Sequence, residues 1–147
     1  MKKLITTLCA IALTLTVANA QTTKGTTTFG ISDNFTTAST GTDANVGYFV
    51  MDGIMVSANF HMDMADEGET NWGFGARYYY GDDGLWGGVS ANNGTDAEGE
   101  DTVDMLLQVG CSKALGFDGK LWFEPTLDYD MAGDGSLGLG AGFRLAF

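Results

Sequence analysis

A serine, a histidine and an acid stand on alternate positions of the segment SANFHMD, residues 57–63. Ser57, His61 (the only histidine) and Asp63 are the residue types of a hydrolase site, in which a base activates a hydroxyl. The alternation that gives them one face of a strand also separates Ser57 from His61 by roughly 13 Å. A nucleophile and its base must lie within hydrogen-bond reach. The spacing therefore favours a polar strand face over a catalytic site, and we expect no catalytic residue.

Clustered carboxylates suggest a second chemistry, because carboxylate oxygens are the ligands that Ca²⁺ and Mg²⁺ prefer. The spacing of a calcium-binding loop is absent, however. We therefore expect solvated acidic loops without a metal site or cofactor, and only weak, diffuse association with divalent cations. The residues are Asp63, Asp66, Glu67 and Glu69 in one segment and Asp96, Glu98, Glu100, Asp101 and Asp104 in another.

Five charged residues share the less apolar face of alternating segments: Arg77, Arg144, Glu124, Asp128 and Asp104. Rings of charge set ion selectivity in wide pores. In a narrow interior the same charges neutralise one another and fill the space. The choice depends on the elements that carry them.

The first twenty residues have the form of a secretory signal peptide. Lys2 and Lys3 precede a mostly apolar stretch, and Ala18-Asn19-Ala20 is a small-residue cleavage site. We predict a signal peptide at 1–20 and one domain at 21–147. Beyond residue 20 the chain carries five basic and nineteen acidic residues, a net charge of −14. Such a charge makes nucleic acid an improbable partner, because phosphate binding needs basic patches.

Alternation with period two predicts strands rather than helices. It is clear at 54–62, 72–80, 103–111, 121–129 and 137–147, and weaker at 26–34, 45–51 and 85–92. Short Asp/Gly turns at 51–53, 81–84 and 116–119 alternate with longer polar segments. Membrane-spanning strands need about 9–11 residues, so eight of them take roughly 80 of the 127 residues beyond the signal peptide. The pattern predicts an all-β, eight-stranded antiparallel up-and-down transmembrane β-barrel.

The two faces of these strands indicate which side meets lipid. The face with Arg77, Glu124 and Arg144 is rich in glycine, whereas the other carries the large apolar groups. An eight-stranded barrel is only wide enough for side chains to fill, so the polar face fits the lumen and the apolar face fits lipid. Aromatic residues should form girdles at both interfaces: Tyr48, Tyr78, Tyr80, Trp86, Phe123 and Phe147 near the short turns, and Phe35, Phe60, Trp72 and Tyr129 near the longer segments.

The segments VGYFVMDGIMVSANF (46–60) and GFGARYYY (73–80) resemble hairpin and strand sequences of small outer-membrane β-barrel proteins of the OmpA/OmpX-like type. The terminal Phe147 resembles the C-terminal aromatic residue that the barrel assembly machinery of that group recognises. The resemblance implies a Gram-negative outer-membrane location with outer-membrane lipid and lipopolysaccharide as surroundings. It implies little about activity, because such barrels carry many functions.

We therefore expect a non-enzymatic outer-membrane barrel with a structural or surface-interaction role, a filled lumen and acidic extracellular loops. Three alternatives remain at this point. They are a narrow channel, a lipid-A-modifying enzyme and a soluble lipocalin-like binder.

Overall fold

A computed structural model describes residues 22–34, 41–63, 70–81, 83–95, 101–131 and 135–147. The predicted signal peptide lies outside these residues, as do Phe35 and the acidic residues Asp66, Glu67, Glu69, Asp96, Glu98 and Glu100. The described ranges contain no helix that is long and apolar enough to cross a membrane.

The described residues form nine strands that are hydrogen-bonded in antiparallel pairs. Their bounds are β1 Thr27–Asn34, β2 Gly41–Met51, β3 Ile54–Asp63, β4 Thr70–Tyr80, β5 Leu85–Thr95, β6 Asp101–Cys111, β7 Lys113–Gly116, β8 Leu121–Asp130 and β9 Ser136–Ala146. Neighbours in sequence pair from β1 to β6, β1 pairs with β9, and β8 pairs with β9, β7 and β6. The sheet therefore closes, and β6 and β7 are two parts of one barrel strand. The predicted eight-stranded antiparallel barrel is confirmed.

Pro125 explains why that sixth barrel strand is divided at Ser112. The Ser112 N–H donates to the Gly84 carbonyl on the β5 side. In a strand, the carbonyl of one residue and the N–H of the next point to opposite sides, so the Cys111 carbonyl points toward β8. There it faces Pro125, which has no N–H to donate. Pairing between β6 and β8 ends at Gly110↔Thr126 and resumes in β7 at Lys113↔Phe123. The barrel wall thus lacks one hydrogen bond at this point, which we call the seam.

Apart from Trp86, the sides of the wall are those that the sequence predicts. The large apolar residues of alternate positions are exposed on the outside, among them Phe74 at 63% and Val103 at 71%. Inward positions carry the polar and charged groups Asn45, Ser57, Ser90, Glu124, Asp128 and Arg144, all buried. This distribution is the inverse of that in a water-soluble barrel.

One assignment of sides is wrong. Trp86, expected in the outer aromatic girdle, is 3% exposed and packs inside with Phe49, Met55 and Tyr79. The interior near the short turns is therefore partly apolar. Trp86 points inward because Gly87 and Val89 take the outward positions of β5, and Gly110 on β6 leaves room for its ring.

Candidate functional site in the barrel lumen

The centre of the lumen site is the carboxylate of Glu124 on β8. β8 and β9 pair with Glu124 opposite Gly142 and Trp122 opposite Arg144. A side chain at position 142 would collide with Ile31 and Ser32, so the glycine lets the β1 strand approach β9 closely. Glu124 and Arg144 are both buried, with Arg144 only 1% exposed.

Two arginines reach this single carboxylate from different strands. Arg77 on β4 donates from Nη1 to Oε2 of Glu124 over 2.9 Å. Since β5 and β6 stand between β4 and β8 in the wall, this ion pair crosses the lumen. Arg144 donates from Nη2 to the other oxygen, Oε1, which also accepts the hydroxyl of Ser112. We call Arg77, Glu124, Arg144 and Ser112 the lumen cluster.

The lumen cluster holds one more positive charge than negative, and aromatic faces offset the excess. The guanidinium of Arg77 lies 4.0 Å from the centre of the Trp86 ring. The guanidinium of Arg144 lies 4.6 Å from the centre of the Trp122 ring and 5.4 Å from the centre of the Tyr79 ring. It also donates a hydrogen bond to the Tyr79 hydroxyl. Aromatic faces attract cations most strongly where water is excluded.

Donors outnumber acceptors in this region. Among the described residues, three buried side-chain atoms find no hydrogen-bond partner: the donors Nε of Arg144 and Nε1 of Trp86, and the acceptor Oδ1 of Asn45, which lies at the cavity in the other half of the lumen. Arg144 also directs Nη1 at the sulfur of Met55, 3.0 Å away, which is a weak acceptor. The cluster is therefore a packed structure that holds two guanidinium groups with one carboxylate.

The lumen cluster and its aromatic neighbours close the half of the barrel near the short turns. Trp122, Phe49 and Met55 are 0% exposed. Phe49 and Met55 lie on either side of the turn at 52–53. Tyr79 is the second-last residue of β4, just before the next short turn. We call the lumen cluster together with its apolar neighbours Phe49, Met55, Tyr79, Trp86 and Trp122 the lumen plug.

The other half of the lumen contains a cavity of about 80 Å³. Its polar lining includes Asp43, Asn45, Gln108 and Asp128, and Arg77 and Glu124 form part of its wall. Since one water needs roughly 10–15 Å³ by this measure, the cavity has room for a few waters. The lumen is thus divided into a packed half and a polar, water-sized half.

The structure brings together three of the five charged residues named from the sequence. Arg77, Arg144 and Glu124 meet in the lumen cluster. Asp128 lies in the cavity and accepts hydrogen bonds from Gln108 Nε2 at 3.0 Å and Thr126 Oγ1 at 3.3 Å.

Asp104 is not part of the cluster. It pairs in register with Asn92 near the other end of β6, where its carboxylate lies beside Gly94.

The residues that could have formed a hydrolase site have other partners. Ser57 donates to Oδ1 of Asn59 at 3.1 Å. His61 Nδ1 lies 2.7 Å from Oδ1 of Asp43 on the neighbouring strand. The structure therefore does not bring Ser57 to His61. Within the described ranges, no three histidine, cysteine or acidic side chains stand close enough together to hold a metal ion.

The contributors to the site that the sequence does not single out include Ser112, Tyr79, Trp86 and Trp122. Alternation places Tyr79 on the same face as Arg77, but a tyrosine between two other tyrosines carries no sign of a special role. The alternation of β6 places Ser112 on the lumen face with Gln108 and Gly110, but nothing in the sequence marks its hydroxyl as a partner of Glu124. The signal that could have placed Trp86 inward is the alternation of β5, which puts it on the same face as Gly88, Ser90 and Asn92.

Comparison with solved structures finds the same architecture. The N-terminal β-barrel domain of Pseudomonas aeruginosa OprF superposes with a TM-score of 0.62 at 14% identity, covering 84% of this chain and 98% of that one. A structure described as de novo design of transmembrane β-barrels gives 0.52 at 15% identity, covering 84% and 97%. The Yersinia pestis outer membrane protein Ail gives 0.49 at 9% identity, covering 84% and 100%. No protein-family model and no curated protein matches the sequence.

The first two similarities show the fold of this chain. It is a small eight-stranded barrel of the outer-membrane type, and the resemblance seen in the sequence is confirmed at the level of fold.

Proposed function

We propose that this protein is exported by a signal peptide at 1–20 and inserted in a Gram-negative outer membrane. It serves there as a non-catalytic barrel with a structural or surface-interaction role. Its longer loops, which contain seven of the nineteen acidic residues, face outward. Lipopolysaccharide and outer-membrane lipid surround the wall, and divalent cations associate weakly with the loops.

The observation that carries this proposal is the inverted wall. Large apolar side chains are exposed around the outside, including Trp72, Phe74, Val103 and Leu137, while an ion-pair cluster is buried inside. Soluble monomers rarely expose contiguous apolar patches beyond a few hundred Å². A bilayer removes the cost of that exposure, because apolar groups then face acyl chains, and the closed sheet satisfies its backbone internally.

The lumen plug supports a non-conducting barrel over a narrow channel. Trp122, Phe49 and Met55, which lie in the packed half, are all 0% exposed. An ion would have to displace buried rings and break the ion pairs of Glu124. Planar bilayers containing the purified protein should show no steady conductance, and stable single-channel steps would instead favour the channel.

Assembly is proposed to depend on Phe147. Its N–H donates to the Thr27 carbonyl at 2.9 Å and its carbonyl accepts from Thr27 at 3.1 Å, so the last residue completes the closure of β9 against the start of β1. Its side chain stays exposed on the outside. An exposed ring that the pairing with Thr27 holds in a fixed position supports the proposed role of Phe147 as the signal read by the barrel assembly machinery.

The test compares boiled and unboiled samples of the membrane fraction by gel electrophoresis for the wild type, Phe147→Ala and Phe143→Ala. Phe143 is another outward aromatic residue of β9 and serves as the matched control. We expect a detergent-requiring band whose mobility changes on boiling, with assembled protein reduced severalfold in Phe147→Ala only. A soluble periplasmic band without a shift would favour the lipocalin-like binder.

The lipid-A-modifying enzyme is tested separately. Mass spectrometry of lipid A from cells with and without the protein should give the same acyl pattern, because Ser57 and His61 have other partners. A change that disappears in His61→Ala would establish catalysis.

A further inference from the structure

The hairpin that joins β7 to β8 has an unusual turn. Phe117, Asp118 and Gly119 have φ angles of 54°, 55° and 79°, so three successive residues are left-handed. Glycine adopts this conformation freely and aspartate does so with little difficulty, whereas a bulky residue such as Phe117 pays a penalty. Two successive hydrogen bonds close the turn, from Gly119 to Gly116 and from Lys120 to Phe117, each 3.1 Å.

The lumen plug holds this turn in place. The indole N–H of Trp122 donates to the Gly119 carbonyl, and the Trp122 ring is fully buried beneath the Arg144 guanidinium. Unfavourable backbone conformations persist where the surrounding structure fixes them, and they concentrate at functional sites. Trp122 therefore fixes the direction in which the side chains of the turn project.

The turn presents apolar groups. Phe117 is 75% exposed at its tip, and Leu115 is exposed beside it, where the register of β7 against β8 shifts. A turn of this kind is usually built from Asn, Asp and Gly. Phenylalanine at a penalised, exposed position buries nothing within the chain.

Basic residues flank this apolar tip. Of the three lysines beyond residue 20, two lie in this hairpin, Lys113 and Lys120. Among the described strand residues, Lys113 is the one cation that the alternation places on the outer face, opposite Phe123. It is half-buried, whereas Lys120 is exposed, and Asp118 is the single acid of the segment. An apolar stem with its ammonium directed to the edge of an apolar surface is the arrangement by which lysine reaches the membrane interface.

We propose that the β7–β8 hairpin is a docking surface for an anionic phospholipid at the short-turn side of the membrane. Phe117 and Leu115 enter the boundary between acyl chains and headgroups, and Lys113 and Lys120 bind the phosphate. Charge complementarity identifies this occupant, because residues 113–120 carry two lysines and one acid, a net charge of +1, in a chain whose net charge beyond residue 20 is −14. The inference rests on the proposed function, since it requires the barrel to span a bilayer.

The experiment uses quenching of tryptophan fluorescence by phospholipids with brominated acyl chains. The barrel is refolded into vesicles of phosphatidylcholine and phosphatidylglycerol, of which one or the other is brominated. The reporter variant is Trp72→Phe/Phe117→Trp, and Trp72→Phe alone gives the background from buried Trp86 and Trp122. The wild type reports insertion independently, because Trp72 is exposed on the outer wall.

We expect the tryptophan at position 117 to be quenched by brominated lipid, and more strongly when phosphatidylglycerol is the brominated species. Each lysine near an anionic surface contributes about a fivefold preference. Lys113→Gln or Lys120→Gln in the reporter background should therefore each lower the preference by about fivefold. Lys24→Gln, which removes a lysine outside the hairpin, is the matched control and should leave the preference unchanged.

The outcomes separate the two proposals. Quenching of Trp72 without quenching at position 117 would overturn the docking surface while leaving the membrane barrel intact. Equal quenching by the two lipids, or an equal loss of preference in Lys24→Gln, would also overturn it. Absence of quenching at both positions would contradict the proposed membrane insertion itself.

Discussion

Replacing Glu124 by glutamine should destabilise the barrel more than any other single charge removal in the lumen. Glu124→Gln keeps the size of the side chain but leaves Arg77 and Arg144 without a counter-charge. The side chains of Glu124, Arg77 and Arg144 are 7%, 12% and 1% exposed, so water screens the remaining charges little. Breaking a buried ion pair by removing one partner costs about 3–5 kcal/mol, and we expect a loss of that size.

The matched control is Asp128→Asn. Asp128 is buried in the same lumen, but the hydrogen-bond donors that reach it are the neutral Gln108 and Thr126. An asparagine can still accept one of these bonds, so we expect a loss below about 2 kcal/mol. The contrast between the two variants isolates the two arginine contacts from the general effect of neutralising a buried carboxylate.

A second comparison uses the non-additivity of contacting residues. Arg77→Met removes one of the two charges left unpaired in Glu124→Gln. The double variant should therefore be more stable than the sum of the single losses predicts, with a coupling of about 1–3 kcal/mol. The geometric reason for this coupling is that the two arginines share one carboxylate: Arg77 binds one oxygen of Glu124 and Arg144 binds the other.

The assay is equilibrium unfolding of the refolded barrel in phosphatidylcholine bilayers. The folded fraction is followed by tryptophan fluorescence and by gel mobility, and the free energy is obtained by linear extrapolation in urea. If Glu124→Gln costs no more than Asp128→Asn, the lumen plug must be hydrated, and our account of a packed, water-excluding lumen would be wrong.

Two further predictions address the wall. A β-carbon at Gly47 would lie 2.5 Å from Thr28 Oγ1 and 2.7 Å from Met55 Sδ, whereas one at the outward Gly87 meets only a carbonyl at 3.9 Å. Gly47→Val should therefore cost about 1–3 kcal/mol in the same assay and Gly87→Val nearly nothing, and equal losses would contradict the assigned sides. Pro125→Val supplies an N–H opposite the Cys111 carbonyl, so hydrogen exchange should find a protected amide at position 125. Exchange there as fast as in the turns would show that the seam stays open.

Much of this architecture was readable from the sequence because each strand has two chemically different faces. In β3, β4 and β9 the alternation alone identified the outward residues, and the closing role of 137–147 followed from it. β5 shows where a second rule conflicts with the alternation. Its alternation places Trp86 on the face of Gly88, Ser90 and Asn92, whereas the expectation that aromatic residues near the turns form an outer girdle places Trp86 on the wrong side.

The lumen cluster was predictable in its members but not in its connections. Period-two alternation places Arg77, Glu124, Asp128 and Arg144 on the inner face, yet depth along the barrel depends on the stagger between strands. That stagger brings Arg77 to Glu124 across 47 residues and leaves Asp128 to neutral partners. The relative depth of two residues on distant strands is the sum of the stagger at every pairing between them. The sequence of a single strand does not determine that sum.

The position of the lumen cluster relative to the seam indicates why it has this composition. At Pro125 the wall lacks a backbone hydrogen bond, and on the inner side of the same place Ser112 donates to Glu124 across the gap. Glu124 is then held by arginines from β4 and β9, so three other parts of the wall are tied to β8 beside its weakest point. Two residues toward the turn, Trp122 anchors the left-handed turn from within. An apolar filling would occupy the same space but could not join strands across the seam, because only hydrogen-bonding groups replace a missing ladder bond. The charges of this lumen are therefore explained by the closure of the barrel wall, and a role in ion conduction is not needed to account for them.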